Sequence, residues 1–265
     1  MNHKIFWALA PITLLATFAA THFISPVVDS RVNQNLNDFK VSAIEQTREI
    51  VQKFQTIISD FSESTSSEDV LLAKASVPTN LSALEKGIAA ETNRARTNPV
   101  AYAAKIQKLR SSYKGKILRL PGRVNILTKE GVKPVDEAVR ALKATKPVPA
   151  LRLSKGMSLG AKNHVKDQGP KGATGHNGSN GSRPWHRVNR YGSWQTVIGE
   201  NIAYGPDTAQ QVVMQLIIDD GVSDRGHRKN IFTPGYRVTG VACGSHKKYR
   251  IMCVIEYAGG YKEKR

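Results

Sequence analysis

The sequence predicts an α+β domain in the later part of this 265-residue chain. Several segments place apolar residues three and four positions apart, which is the period of an α-helix. Two late runs, 239–243 and 251–257, instead favour β-strands joined by a turn at 245–248. Strands do not alternate with helices along the chain, so the pattern argues against parallel βαβ units.

The chain begins with a pattern that is typical of export signals. A short basic start at 1–4 precedes a run at 5–24 that is almost free of charge. Thr17-Phe18-Ala19 is a possible cleavage site, but the run also approaches the ~20 residues that span a bilayer. We therefore interpret 1–25 as a signal peptide or, alternatively, a retained signal anchor that uses residues 5–24. Either reading places the rest of the chain outside the cytosol.

Residues 26–81 form a second predicted unit, a helical segment followed by a Ser-rich linker. Apolar residues at 50, 51, 54, 57, 58 and 61 form a stripe along a helix predicted within 33–61. Ser and Glu dominate 62–69, a composition that favours a linker.

The main predicted domain covers 82–265, and its helices have recognisable starts. Ser82 and Glu85 have capping-box spacing, and the first helix should end before Pro99. Further helices are expected near 102–109, after Pro134, after the cap Ser154 and over 208–218. The stretch 113–133 should be irregular, and the Gly-rich stretch 169–205 is interpreted as a long ordered loop of the kind that often carries function.

Composition limits the possible partners and the redox chemistry. Lys and Arg number 39 against 21 acids, a formal charge of +18, which implies either attraction to an anionic surface or polymer or simply a soluble basic surface. Cys243 and Cys253 lie in the two predicted strands. They can form one disulfide in an oxidising compartment or remain two buried thiols.

Short segments that carry reactive side chains occur in a fixed order. They are Glu91-Thr92-Asn93-Arg94-Ala95-Arg96, Gly175-His176-Asn177, Gly199-Glu200-Asn201-Ile202-Ala203, Asp219-Asp220 and Gly226-His227-Arg228-Lys229-Asn230-Ile231. Together with the final strand they resemble the CAP superfamily of cysteine-rich secretory, antigen 5 and plant pathogenesis-related proteins. The resemblance is nearest to bacterial-type members, which lack the many cysteines, and it covers about 82–261.

This resemblance implies a three-layer α-β-α sandwich with a cleft lined by two histidines and two acids. Carried over to this chain, the four cleft residues are His176, Glu200, Asp220 and His227. Asp219 and Asp224 are alternatives for the second acid, because the loop from helix to histidine is shorter than in other members. In the family such a cleft often holds a divalent metal, so zinc or another divalent ion on His176 and His227 is expected.

The residue chemistry agrees with such a cleft. Imidazole nitrogens are good zinc ligands, and neighbouring carboxylates can orient the rings. The chain has no H-E-x-x-H motif and no G-x-S-x-G elbow beside these residues, which argues against a zincin protease or a serine hydrolase.

Three functional hypotheses follow. The first is a secreted, periplasmic or surface-anchored binding protein that is not a catalyst and engages lipid, sterol, cell-wall polymer or an extracellular protein. The second is a metal-dependent hydrolase with Glu200 as candidate general base. The third is a polyanion-binding basic protein in which the four cleft residues are only structural. Nucleic acid is not expected as a partner.

Overall fold

A computed structural model describes residues 81–264. The signal or anchor predicted at 1–25 and the helical segment and linker predicted at 26–81 lie outside the described residues, apart from residue 81 itself. Within the described range, no helix is both long enough and apolar enough to cross a bilayer.

The described chain contains helices and strands in the following order. The helices are α1 (Ala83–Thr97), α2 (Pro99–Gln107), α3 (Lys133–Ala144), α4 (Lys155–Lys171), α5 (Pro184–Val188), α6 (Ala209–Ile218) and α7 (Gly226–Ile231), with a 3₁₀ turn at Lys108–Ser112. The strands are β1 (Tyr113–Lys114), β2 (Ile117–Leu118), β3 (Ile126–Leu127), β4 (Arg152–Leu153), β5 (Gly192–Tyr204), β6 (Val238–His246) and β7 (Arg250–Glu263).

Side-chain caps fix the helix starts that the sequence predicts. Ser82 and Glu85 form the full capping box at the start of α1. The hydroxyls of Ser154 and Thr208 accept from backbone N–H groups in the first turns of α4 and α6. Each cap satisfies an N–H that would otherwise lack a helical partner, so the helices begin where these residues stand.

The main sheet has the strand order β4-β6-β7-β5. Strands β6 and β7 form the predicted antiparallel pair, and Cys243 stands directly opposite Cys253 in their register. The two cysteines form a disulfide in the structure. The short β4 runs parallel to β6, and β5 pairs with β7 alone, which leaves β5 at one edge of the sheet.

Two stretches differ from expectation. The segment 169–205 is not a loop throughout, because it contains α5 and the thirteen-residue β5. The first half of β5 lacks alternation of apolar and polar residues, and a register shift interrupts its pairing between Gln195 and Ile198. Pairing with β7 therefore defines this strand more than its own side chains do. The stretch 113–133 contains the three short antiparallel strands β1, β2 and β3.

Helices cover both faces of the main sheet. On β7, Cys253, Ile255 and Tyr257 face the core built with α1, α2, α3 and α6. The intervening Met252 and Val254 face the opposite side and pack with Ala161 and Val165 of α4, as the period of two along a strand requires. The α+β sandwich predicted from the sequence is therefore confirmed.

Candidate functional site

The first histidine of the site is held by a buried carboxylate. His176 Nδ1 lies 2.7 Å from Glu200 Oε1, and the His176 side chain retains 25% of its exposure. The preceding Gly175 is fixed from two sides, since its carbonyl lies 2.8 Å from His164 Nε2 and its N–H donates to the Tyr204 hydroxyl. Helix α4 and strand β5 thus position the loop that carries His176.

Arg187 on α5 completes the surroundings of Glu200. Its Nη2 lies 2.5 Å from Glu200 Oε2, and its Nη1 donates to the carbonyls of His176 and Ser182. Both oxygens of Glu200 are therefore engaged. Burial alone raises the pKa of Glu200, but the hydrogen bond from His176 and the positive charge of Arg187 outweigh burial and hold that pKa below its usual value. Glu200 is consequently an ionised carboxylate at neutral pH.

The second histidine has the same arrangement with a different acid. His227 Nδ1 lies 2.5 Å from Asp219 Oδ1, and the His227 backbone N–H donates to Asp219 Oδ2 over 2.9 Å. Asp219 ends α6 in the left-handed conformation, with φ of 61°. The ring nitrogen Nε2 of His227 is buried and has no hydrogen-bond partner among residues 81–264.

Asp220, the expected second acid, is not the carboxylate that contacts His227. Its carboxylate accepts instead from the backbone N–H groups of Lys129 and Glu130, at 2.7 and 2.8 Å. The left-handed turn at Asp219 sends the two consecutive carboxylates to different partners. Asp219, the first alternative, is the acid on His227, whereas Asp220 fastens the 128–130 segment to the end of α6; Asp224 is exposed.

One stretch of the edge strand connects the two pairs. Glu200 faces the α4 side, and the next residue, Asn201, donates its amide to the His227 carbonyl over 3.0 Å. The amide of Asn230 donates to Asn201 Oδ1 at 2.9 Å and to the Glu200 carbonyl at 3.3 Å. His176 therefore contacts position 200 of β5 and His227 contacts position 201, and Asp219 joins them through His227.

Sequence reasoning missed a third buried acid behind Glu200. Glu256 on β7 is fully buried, stands directly opposite Glu200 in the strand register and lies 4.0 Å from Arg187. Burial and the negative charge of Glu200 raise the pKa of Glu256 well above the usual value, so this carboxyl group favours its protonated form. The sequence does carry a signal for this residue. Glu256 is a lone acid within the apolar run 251–257, and it falls on the same strand face as the buried Met252 and Val254.

The two histidines offer one ring nitrogen each to the expected divalent metal. With both Nδ1 atoms held by carboxylates, each ring presents Nε2, the arrangement that metal-binding histidines adopt. Within 81–264 no group of three or more His, Cys, Asp or Glu side chains is arranged around a common metal position. The described residues thus offer a metal at most two imidazole donors, and water or a bound molecule would have to supply the other ligands.

A separate cavity of about 230 Å³ lies between the β1–β3 segment and α6. Its lining is mostly apolar, with Leu118, Leu120, Ile126, Met214 and Ile218 among the contributors. Charged residues are found at the same cavity, where Arg123 and Arg250 both pair with Asp207. Such a combination suits a small ligand with a large apolar part.

Several solved structures resemble part of this chain at low sequence identity. An outer surface protein from Borrelia burgdorferi is 16% identical with a TM-score of 0.36, over 44% of this chain and 80% of that one. An extracellular SCP-domain protein from Bacillus anthracis is 16% identical with a TM-score of 0.32, and a cysteine-rich secretory protein from Staphylococcus aureus is 14% identical with a TM-score of 0.30. These two matches cover 48% and 49% of this chain but only 37% and 38% of the longer proteins.

No curated protein sequence is significantly similar to the chain. The sequence profile described as CAP, the cysteine-rich secretory protein family, matches residues 90–257. That match covers more than half of the chain and includes both histidine–carboxylate pairs. The chain therefore belongs to the cysteine-rich secretory protein (CAP) family.

Proposed function

We propose that the protein is an extracellular binding protein whose cleft holds a divalent metal, with zinc as the first candidate, on His176 and His227. The observation that carries this proposal is the matched pair of Nδ1–carboxylate contacts, which leaves both Nε2 atoms available. The buried Nε2 of His227, without a partner in the described residues, costs free energy unless a ligand binds it.

The carboxylates have a defined role in this arrangement. Glu200 and Asp219 each accept a hydrogen bond from a ring Nδ1–H, which fixes the tautomer and leaves the Nε2 lone pair for the metal. Asn201 and Asn230 hold the backbone of both pairs in place. A bound metal would supply a Lewis-acidic anchor for an oxygen or nitrogen atom of the ligand.

Binding is favoured over hydrolysis because the candidate base is poorly suited to proton transfer. Both oxygens of Glu200 are engaged, by His176 and by Arg187, and its pKa is held low. A general base works best with a free oxygen and a pKa near the working pH. Asp219 is likewise occupied by two contacts from His227.

The cavity beside α6 favours lipid or sterol over a cell-wall polymer as the ligand class. A mostly apolar lining excludes water and offers few partners to a polymer rich in hydroxyl groups. Export is supported by the disulfide between Cys243 and Cys253, which persists in oxidising compartments.

Zinc titration calorimetry on purified protein tests the metal site. We expect His176→Ala and His227→Ala each to weaken zinc binding by more than about 10-fold. The control is His186→Ala, because His186 is an exposed histidine whose Nδ1 accepts only the Arg183 backbone N–H. Zinc affinity that is unchanged in both test variants would refute the metal site. Turnover of esters or peptides that requires zinc and disappears in Glu200→Gln would favour the hydrolase instead.

A further inference from the structure

The stretch from Lys105 to Lys133 has a strong excess of positive charge. It contains nine basic residues and a single acid, Glu130. Eight of the nine are exposed, namely Lys108, Arg110, Lys114, Lys116, Arg119, Arg123, Lys129 and Lys133. Most of these cations lie on or beside the small sheet β1–β3, so this sheet presents a concentrated positive surface.

Some of these cations have partners within the domain, as Lys105 does with Glu91. Arg110 pairs with Asp136 and Arg123 with Asp207. In contrast, Lys114, Lys116 and Arg119 have no acidic partner within ion-pair distance in the described part of the chain. Three neighbouring cations without partners favour an anionic surface that lies outside the protein.

The same segment exposes apolar side chains. Val124 is 72% exposed and Leu127 is 56% exposed. They are two of the four large hydrophobic residues that the described domain leaves exposed, with Val100 and Trp185 as the others. A hydrophilic polyanion engages cations alone, whereas a lipid bilayer also receives apolar side chains between its headgroups.

The segment is fixed on the domain and covers the apolar cavity. Thr128 bonds to the Lys116 carbonyl through both its N–H and its hydroxyl, and Asp220 holds the next two backbone N–H groups. The cavity lies between this segment and α6. The cations, the exposed apolar pair and an apolar recess therefore occupy one part of the fold, which hydrogen bonds tie to the end of α6.

We propose that this surface, residues 108–128, docks the protein on membranes that contain anionic phospholipids. The lysines and arginines meet the headgroup phosphates, and Val124 and Leu127 enter the interface. The docking uses neither histidine and does not depend on metal in the cleft, so the two proposals can fail separately.

The apolar contact is tested on the full chain with a fluorescent reporter. Leu127→Cys adds one free thiol, because the two native cysteines form a disulfide, and this thiol is labelled with an environment-sensitive nitrobenzoxadiazole dye. Vesicles of equimolar phosphatidylcholine and phosphatidylglycerol should shift its emission to the blue. Pure phosphatidylcholine vesicles should not. The control is Val100→Cys on α2, equally exposed at 56%, which should not respond.

The charge contact is tested by reversal of the three unpaired cations. Lys114→Glu, Lys116→Glu and Arg119→Glu combined should weaken the vesicle response by more than about 100-fold, because each cation near an anionic membrane contributes roughly fivefold in affinity. The matched control changes Lys155, Lys162 and Lys166 to Glu, an equal change of charge at exposed sites on α4. This control variant should retain the response.

Several outcomes would overturn the proposal. The first is a dye at position 127 that shows no blue shift with the anionic vesicles, or an equal shift with pure phosphatidylcholine. The second is an equal loss of the vesicle response in the two triple variants. The third is a shift with soluble inorganic polyphosphate that equals the shift with the anionic vesicles. The last result would indicate a general polyanion site instead of membrane docking. Zinc affinity is measured in both triple variants and should be unchanged, which separates failure here from failure at the cleft.

Discussion

Replacement of Glu256 with Gln tests the buried acid behind the cleft. Glu256 is fully buried opposite Glu200, and neither of its carboxyl oxygens has a hydrogen-bond partner in the described residues. A single guanidinium, that of Arg187, lies near both acids. Burial and the charge of Glu200 raise the pKa of Glu256, so the folded protein retains a proton that the unfolded chain has released.

The sign and size of the effect follow from proton linkage. Above the ordinary Glu pKa of 4.5, the native state binds one more proton than the unfolded state, so stability falls as pH rises toward the raised folded pKa. Below the folded pKa the slope is about 1.4 kcal/mol per pH unit, so the interval from about pH 5.5 to about pH 7.5 has an upper limit of about 2.7 kcal/mol. Glutamine is neutral throughout and removes this loss.

Urea unfolding of both proteins at these two pH values measures the difference. We expect the stability advantage of Glu256→Gln to grow by up to about 2.7 kcal/mol at the higher pH. Glu130→Gln is the control, because the hydrogen bond from Arg225 lowers the pKa of Glu130 to about 2. Glu130 is thus ionised in both states over this range, and its effect should be constant. A pH-independent effect of Glu256→Gln would refute the neutral buried acid.

Two further predictions concern the two acids at the C-terminal end of α6 and the disulfide between β6 and β7. Asp219→Asn should weaken zinc binding by about 10- to 100-fold, because it removes the carboxylate that orients His227. Asp220→Asn should lower the melting temperature and leave zinc affinity unchanged. A larger loss of zinc affinity in Asp220→Asn than in Asp219→Asn would instead assign the second acid to Asp220. Replacement of Cys243 and Cys253 with Ala should destabilise the domain by about 2–3 kcal/mol, the entropy of a loop closed over a separation of 10 residues, and an unchanged urea midpoint would contradict this.

Local signals predicted much of the fold. Helix starts depend on one or two side chains, as at Ser82, Ser154 and Thr208, and the structure contains these caps. The strands β6 and β7 are rich in apolar residues and are joined by a short turn, so the sequence pattern predicted them too. Strand β5 was not predicted, because its first half shows no regular alternation and gains its partners only from distant β7.

The site was predictable only in part, for a similar reason. The order of the motifs identified His176, Glu200 and His227. In the structure His176 contacts Glu200 on β5, and His227 contacts Asp219 and the neighbouring Asn201. The choice between Asp219 and Asp220 depends on the left-handed turn that ends α6, and no spacing rule reveals it. Arg187 contacts Glu200 only because α5 packs beside β5.

Anomalous X-ray diffraction at the zinc edge, on crystals grown with zinc, tests the central claim most directly. We expect one strong peak at about 2.0–2.1 Å from Nε2 of both His176 and His227, with each Nδ1 still on its carboxylate. A fully occupied peak elsewhere on the domain, or zinc-saturated crystals without density between these two rings, would contradict it.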